Sequence, residues 1–229
     1  MKTSIYYQRN LPHYQPFDAT YHITIRLAGS LPIDVVQRLR RDNEAFKRSL
    51  AGKSLTRQHI QEYRERQLRY SLRIDEILNS GNTGPTWLGE PSVADMVAEA
   101  IHYRDNRDFS LLAFCIMPNH VHIVFSIGEE ARAFADNRLA AVLVPEGRSF
   151  PVTRILSSLK KYTARSANKI LGRVGNFWQH ESYDHVIRDS GELKQTLRYV
   201  VSNPVAAGLI SDWMNWRWTY CNPGLPLLE

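Results

Sequence analysis

His120 and His122 stand two residues apart in the segment HVHIVFSI. On a strand, alternate side chains share a face, so both imidazoles would project one way and Val121, Ile123 and Phe125 the other. Neutral imidazoles so spaced can chelate one divalent ion and leave positions open for substrate oxygens. The plainer alternative is a sheet face where two histidines hydrogen-bond or meet water, and a bare His-x-His does not separate the two. Gln195, Tyr199 and Asn203 recur every four residues further on. On a helix they share one side, so the phenol and the Asn203 amide can reach one point. The amide oxygen is a candidate third metal ligand, and the phenol oxygen a candidate nucleophile toward phosphorus. The alternatives are a packed ring with a wet hydroxyl for Tyr199 and an N-cap before Pro204 for Asn203. Tyr162 and Tyr183 are rival nucleophiles, but four residues after each stand Ser166 and Ile187, which offer no candidate ligand.

A second group is basic. From Pro151 to His180 there are six Lys and Arg and no acidic residue. Arg154, Lys161, Arg165 and Lys169 fall 7, 4 and 4 apart, which on a helix makes one ridge suited to phosphates. Lys160 stands beside it. Trp178 and His180, with Phe177, are candidates for stacking bases. A solvated helix face and core packing are the competing readings.

These residues need elements to hold them. Tyr21 to Leu27 alternates and reads as a strand. Ile33 to Leu50 and Thr56 to Leu78 read as two helices joined at Gly52, rich in good helix formers. Ser92 is expected as the N-cap of a helix through Ile101, with Asp95 three residues on. Phe109 to Met117 and His120 to Ile127 read as a hairpin turning at Pro118-Asn119. Glu129 to Ser149 is expected to be loop-rich. Val152 to Leu171 reads as a helix, Tyr183 to Arg188 as a short strand, and Leu193 to Ser202 as a helix ending or kinking near Pro204. The order implies an α+β fold of ferredoxin-like type, with a mainly antiparallel sheet and helices on it. Residues 32–87 are too long for a simple crossover and read as an inserted basic helical hairpin. A tail at about 210–229 holds three of the five tryptophans and is expected to close onto the domain. The whole of 1–229 is expected to form a single domain.

Composition bounds the rest. The chain has 229 residues, 43% hydrophobic and 23% charged, enough for a sizeable core. The net charge of +6 favours an anionic partner. No apolar run approaches the roughly 18 residues of a membrane span, and no secretory h-region is visible, so a cytoplasmic, bacterial-type protein is expected. Two cysteines exclude a disulfide scaffold and a cysteine-rich zinc site.

MPNHVHIVF resembles the HUH motif of single-tyrosine transposases. NFWQHESYDHVIRD, then LRYVVSNPVAAGLI and the tryptophan-rich DWMNWRW, resemble the REP-associated tyrosine transposases. The likeness covers about Tyr21 to Tyr220, in order. It implies a Mg²⁺- or Mn²⁺-dependent endonuclease and strand transferase, joining single-stranded DNA to Tyr199 through a 5′-phosphotyrosine bond. It further implies that His120, His122 and Asn203 hold the metal; the third position is often Gln in the wider group. The implied partners are hairpin DNA of REP-like palindromes, with the protein a monomer or homodimer. The basic insertion lies outside the minimal transposase core. The competing readings are a catalytically silent, domesticated DNA-binding module on the same fold and a metal-independent two-histidine phosphoesterase.

Overall fold

The computed structural model describes residues 6–8, 12–14, 19–50, 56–80, 84–127 and 151–225. Gly52 and the segment Glu129 to Ser149 lie outside the described residues. Strands β1 (Tyr6–Gln8) and β2 (Pro12–Tyr14) pair with each other. The main sheet comprises β3 (Ala19–Arg26), β4 (Ser110–Ile116), β5 (His120–Ile127), β6 (Tyr183–Ile187) and β7 (Thr219–Cys221). Its order is β6-β3-β5-β4-β7, with every neighbouring pair antiparallel. The helices are α1 (Ile33–Leu50), α2 (Arg57–Asn79), α3 (Pro91–His102), α4 (Pro151–Ile170) and α5 (Ser190–Ala206). Strands β3 to β6 with α3 and α4 make the β-α-β-β-α-β unit of the ferredoxin-like plan, so the fold is α+β. Strand β7 is added at the β4 edge.

The period of two in β3 sorts its side chains. Tyr21, Ile23 and Ile25 enter the main apolar core with Val121, Ile123 and Phe125 of β5, under α3 and α4. A bulge in β4 between Leu111 and Ala113 lets Leu111, Phe114 and Ile116 all face that core. The other face is covered by α5. There Leu197, Val200 and Val201 meet Ala113, Cys115 and Val124 in a smaller cluster, and the rest of that face is polar.

Helices α1 and α2 pack at their base through Leu31, Val35, Ile74 and Leu78, and Arg66 lies over the Phe46 ring at 4.7 Å. Thr56 opens α2 in a reciprocal capping box with His59. The chain leaves β3 at Gly29 and returns at Gly84. A Cβ on Gly84 (φ +75°) would strike the Gly29 carbonyl oxygen, so only glycine lets the two ends of the excursion meet.

Two local expectations are corrected. Helix α3 begins at Pro91 and is capped at Glu90, not Ser92; proline's fixed φ and missing N–H suit the first helical position. Helix α5 does not stop before Pro204. It starts earlier, where the Asp189 side chain accepts from Glu192 N at 2.9 Å, and runs through Pro204 to Ala206. The stop is a Schellman arrangement at Gly208 (φ +68°), with Gly208 N bonding Val205 O and Leu209 N bonding Pro204 O. Asn203 is therefore inside a helix and is no N-cap. The tail closes on the sheet through its indoles: Trp216 Nε1 donates to Ile116 O at 3.0 Å and Trp218 Nε1 to Asp95 Oδ1 at 2.8 Å, while Trp213 packs against the smaller cluster.

Candidate active site

His120 and His122 both lie on the α5 face of the sheet, fully buried, with ring centroids 4.7 Å apart. Each ring is held by its far nitrogen. His120 Nδ1 meets Asn119 Oδ1 at 2.6 Å, and Asn119 Nδ2 in turn donates to Leu78 O of α2 at 2.9 Å. The Asn119 oxygen is thus the acceptor, His120 Nδ1 carries the proton, and Nε2 carries the lone pair. His122 Nδ1 meets Thr24 Oγ1 and His22 Nε2, each at 3.1 Å. The two Nε2 atoms therefore converge, 3.0 Å apart. Two nitrogens at ~2.1 Å from one ion and at a right angle would also lie about 3.0 Å apart. Burial pushes both imidazoles far below the usual histidine range, His122 to about 3, which leaves them neutral, the form that binds metal. Partners on the second ring nitrogen, as here, also orient metal-binding histidines.

A third donor comes from α2. The Asp75 carboxylate is buried, and one ligand atom from each of Asp75, His120 and His122 lies within 4.8 Å of the others. These three could hold a metal ion. Asn203, expected in that place, is buried but occupied: its Oδ1 accepts from Asn79 Nδ2 at 3.0 Å and its Nδ2 donates to Tyr199 O at 2.9 Å. Asp75 also binds the phenol, Tyr199 OH donating to Oδ2 at 2.6 Å. The Tyr199 ring stands edge-on to His122 and His22, at 5.6 and 6.0 Å between centroids. Burial pushes the Asp75 carboxyl up to about 7, with the Tyr199 hydrogen bond pulling the other way. Burial, and then the Asp75 charge, push the phenol well above its usual 10. So α5 supplies the tyrosine, β5 the imidazoles and α2 the carboxylate between them.

The rival tyrosines stand elsewhere. Tyr162 is exposed on α4, across the sheet. Tyr183 is on the histidine face, opposite Thr24 in register, and its hydroxyl is hydrogen-bonded by Ser71 and pushed up to about 12 by burial.

The basic ridge lies on the opposite side of the sheet from this site. Lys161, Arg165 and Lys169 are exposed along α4, and Arg154 is half-buried at its start. Two of the expected DNA contacts also serve the fold. Lys160 Nζ donates to the carbonyls of Gln179 and His180 at 2.6 and 2.9 Å, pinning the following loop to α4. Trp178 packs in the core, 7% exposed, with its indole donating to Thr163 Oγ1 at 2.8 Å, and with Lys160 it lines the cavity beside His180. His180 is exposed beside Glu181. It rims a cavity of about 400 Å³ with Lys161, Ser157, Asn176 and Gln179.

Asp75, Asn119, His22 and Thr24 were not singled out in the sequence. The alternation of β3 does place His22 and Thr24 on one face. Asp75 carries no signal, being one of seven acidic residues between Leu31 and Ser80.

No protein-family model matches the chain. It is 28% identical over 112 residues to a Haemophilus influenzae protein provisionally named a REP-associated tyrosine transposase, covering 48% of this chain and 58% of that one. It is 22% identical over 116 residues to the REP-associated tyrosine transposase of Escherichia coli K12, covering 51% and 56%. The chain thus spans just over half the length of the curated relatives it matches. Among solved structures it is similar to a REP-associated tyrosine transposase bound to a REP hairpin, at 16% identity and a TM-score of 0.47, over 93% of this chain and 80% of that one. The resemblance carried by the three motifs is met by relatives bearing that name. No helix among the described residues is long and apolar enough to cross a membrane.

Proposed function

We propose that the chain is a metal-dependent single-stranded DNA endonuclease and strand transferase, acting on hairpin-flanked DNA through a 5′-phosphotyrosine link to Tyr199. The observation that carries this reading is the 2.6 Å bond from the Tyr199 hydroxyl to Asp75, whose carboxylate sits with two converging imidazole nitrogens. The two Nε2 atoms, 3.0 Å apart, need either a proton or a cation between them, so the donor set fits a divalent ion. His120, His122 and Asp75 would hold it; a carboxylate with imidazoles suits Mn²⁺, and Mg²⁺ where phosphate oxygens complete the shell. When bound, the ion would offset charge on a non-bridging phosphate oxygen.

The residues divide the remaining work. The Tyr199 oxygen attacks phosphorus while its proton passes to Asp75 Oδ2, the atom already accepting that bond. The P–O3′ bond breaks, and the departing oxygen takes a proton from solvent to become a free 3′-OH. The 5′ side remains on the tyrosine. A 3′-OH attacking the same phosphorus reverses the step with no further energy source. Asn119, Thr24 and His22 keep the imidazoles turned inward. Lys161, Arg165 and Lys169 would hold flanking phosphates.

The test is incubation of the protein with labelled hairpin oligonucleotides and Mn²⁺. A denaturant-resistant adduct is expected, with mass spectrometry placing the nucleotide on Tyr199. An adduct on Tyr162 or Tyr183 would assign another nucleophile. Tight binding with no adduct at any metal concentration would favour a silent DNA-binding module.

A further inference from the structure

Arg26 ends β3 and lies directly opposite His120 in the β3–β5 ladder. Opposed residues of an antiparallel pair share a face, so this guanidinium stands on the histidine face, beside the candidate centre. It is half-buried, and burial pushes it down to about 10, with the Tyr70 phenol of α2 pulling the other way. It stays a cation at neutral pH. A charge withdrawn from water is ordinarily paired with an opposite one. Among the described residues, however, Arg26 meets no carboxylate; its side-chain hydrogen bond runs from Nη1 to Ser30 Oγ at 3.4 Å, long for this type. Most of its five donors remain for an anion. Their planar fork matches two phosphate oxygens at once. Tyr70 precedes Asp75 by five residues on α2, about 7.5 Å along the helix axis. Arg26 thus approaches the helix that carries Asp75 without forming a charge pair with it.

We propose that Arg26 binds a DNA phosphate beside His120, donating two N–H groups to it and fixing the strand against Tyr199. This rests on the DNA-cleaving reading above. A purely structural Arg26, packed between Tyr70 and Ser30, would have no linkage of the DNA to recognise.

A methylphosphonate scan separates the two, because it removes one phosphate charge at a time along a hairpin oligonucleotide. Wild type is expected to lose roughly tenfold to a hundredfold in affinity at one particular linkage. Arg26→Gln should be indifferent to that linkage and respond normally at all others, and Arg26→Lys should be intermediate. At saturating DNA, Arg26→Gln should form adduct about a hundredfold more slowly, with an unchanged or higher urea midpoint. If Arg26→Gln fails to fold, Arg26→Lys carries the scan. A scan with no Arg26-dependent linkage overturns the proposal. Wild type that forms no adduct overturns the cleavage chemistry instead, and the scan still reads Arg26.

Discussion

The two faces of the five-stranded sheet are built from the same strands and do opposite things. Under α3 and α4, the inward positions of β3 and β5 are Tyr21, Ile23, Ile25, Val121, Ile123 and Phe125, and Phe125 stacks on Phe109 with ring centroids 4.6 Å apart. One residue along, the outward positions are His22, Thr24, His120 and His122, all buried and joined by hydrogen bonds. The first face obtains stability from removing apolar area from water. The second gives up that gain and keeps buried polar groups, each of which must find a partner or cost stability. These residues partner one another and Asn119, but the carboxylate and phenol come from α2 and α5, so the site depends on helices distant in sequence, whereas the packed face depends mainly on its own strands and crossovers.

The comparison breaks most sharply at Tyr199. Tyr199→Phe removes one oxygen from the polar face, and both adduct and free 3′-OH product should fall below detection while hairpin affinity stays within about twofold. Normal cleavage by this variant would return the face to a structural role. Phe125→Ala probes the other side: loss of a buried ring in that stack should cost about 3–5 kcal/mol in urea unfolding. The double-sided reading fails if His122→Ala costs as much.

The pH dependence sharpens the contrast further. In metal-free protein the Asp75 carboxyl is raised to about 7 from an unfolded value near 3.9. Between these values the folded state holds a proton that the unfolded state has released. Asp75 therefore contributes stability that is full below about pH 4 and is lost as pH rises through 7. The buried histidines, lowered by burial, have the opposite slope, losing stability as pH falls below the unfolded value near 6.5. The difference between wild type and Asp75→Asn isolates the carboxylate. From pH 5 to pH 8, wild type should lose roughly 3 kcal/mol relative to the variant, and Mn²⁺ should restore most of it in wild type alone. Parallel curves in urea titrations would place Asp75 in a solvated, ordinary state.

The smallest effect belongs to the ridge across the sheet. Lys161→Ala and Arg165→Ala should each weaken binding to many sequences alike and flatten the salt dependence by about one unit of slope. Adduct formation at saturating DNA should be unchanged, because α4 is separated from the tyrosine by the sheet. A loss of rate at saturation would show that the ridge aligns the strand as well as holding it.

Periodicity alone was enough to read the strands β3 to β6, the hairpin turning at Asn119, the paired insertion helices and the common face of His120 and His122, because all rest on spacing within one element. The helix ends at Pro91 and Pro204 were misread because a cap is decided by which backbone groups find partners, and Pro204 sits inside a helix stopped instead by Gly208. Lys160 and Trp178 have the right chemistry for DNA and also hold the fold together; burial is a property of neighbours, which spacing does not carry. Asp75 is the clearest case. It lies 45 residues before His120 and 124 before Tyr199, on a helix that reads only as basic and amphipathic. Its contact with the phenol exists because Gly29 and Gly84 bring the ends of the insertion together and α2 then lies over the polar face. A hydrogen bond across that sequence distance depends on tertiary packing, and no local pattern of residue types encodes it.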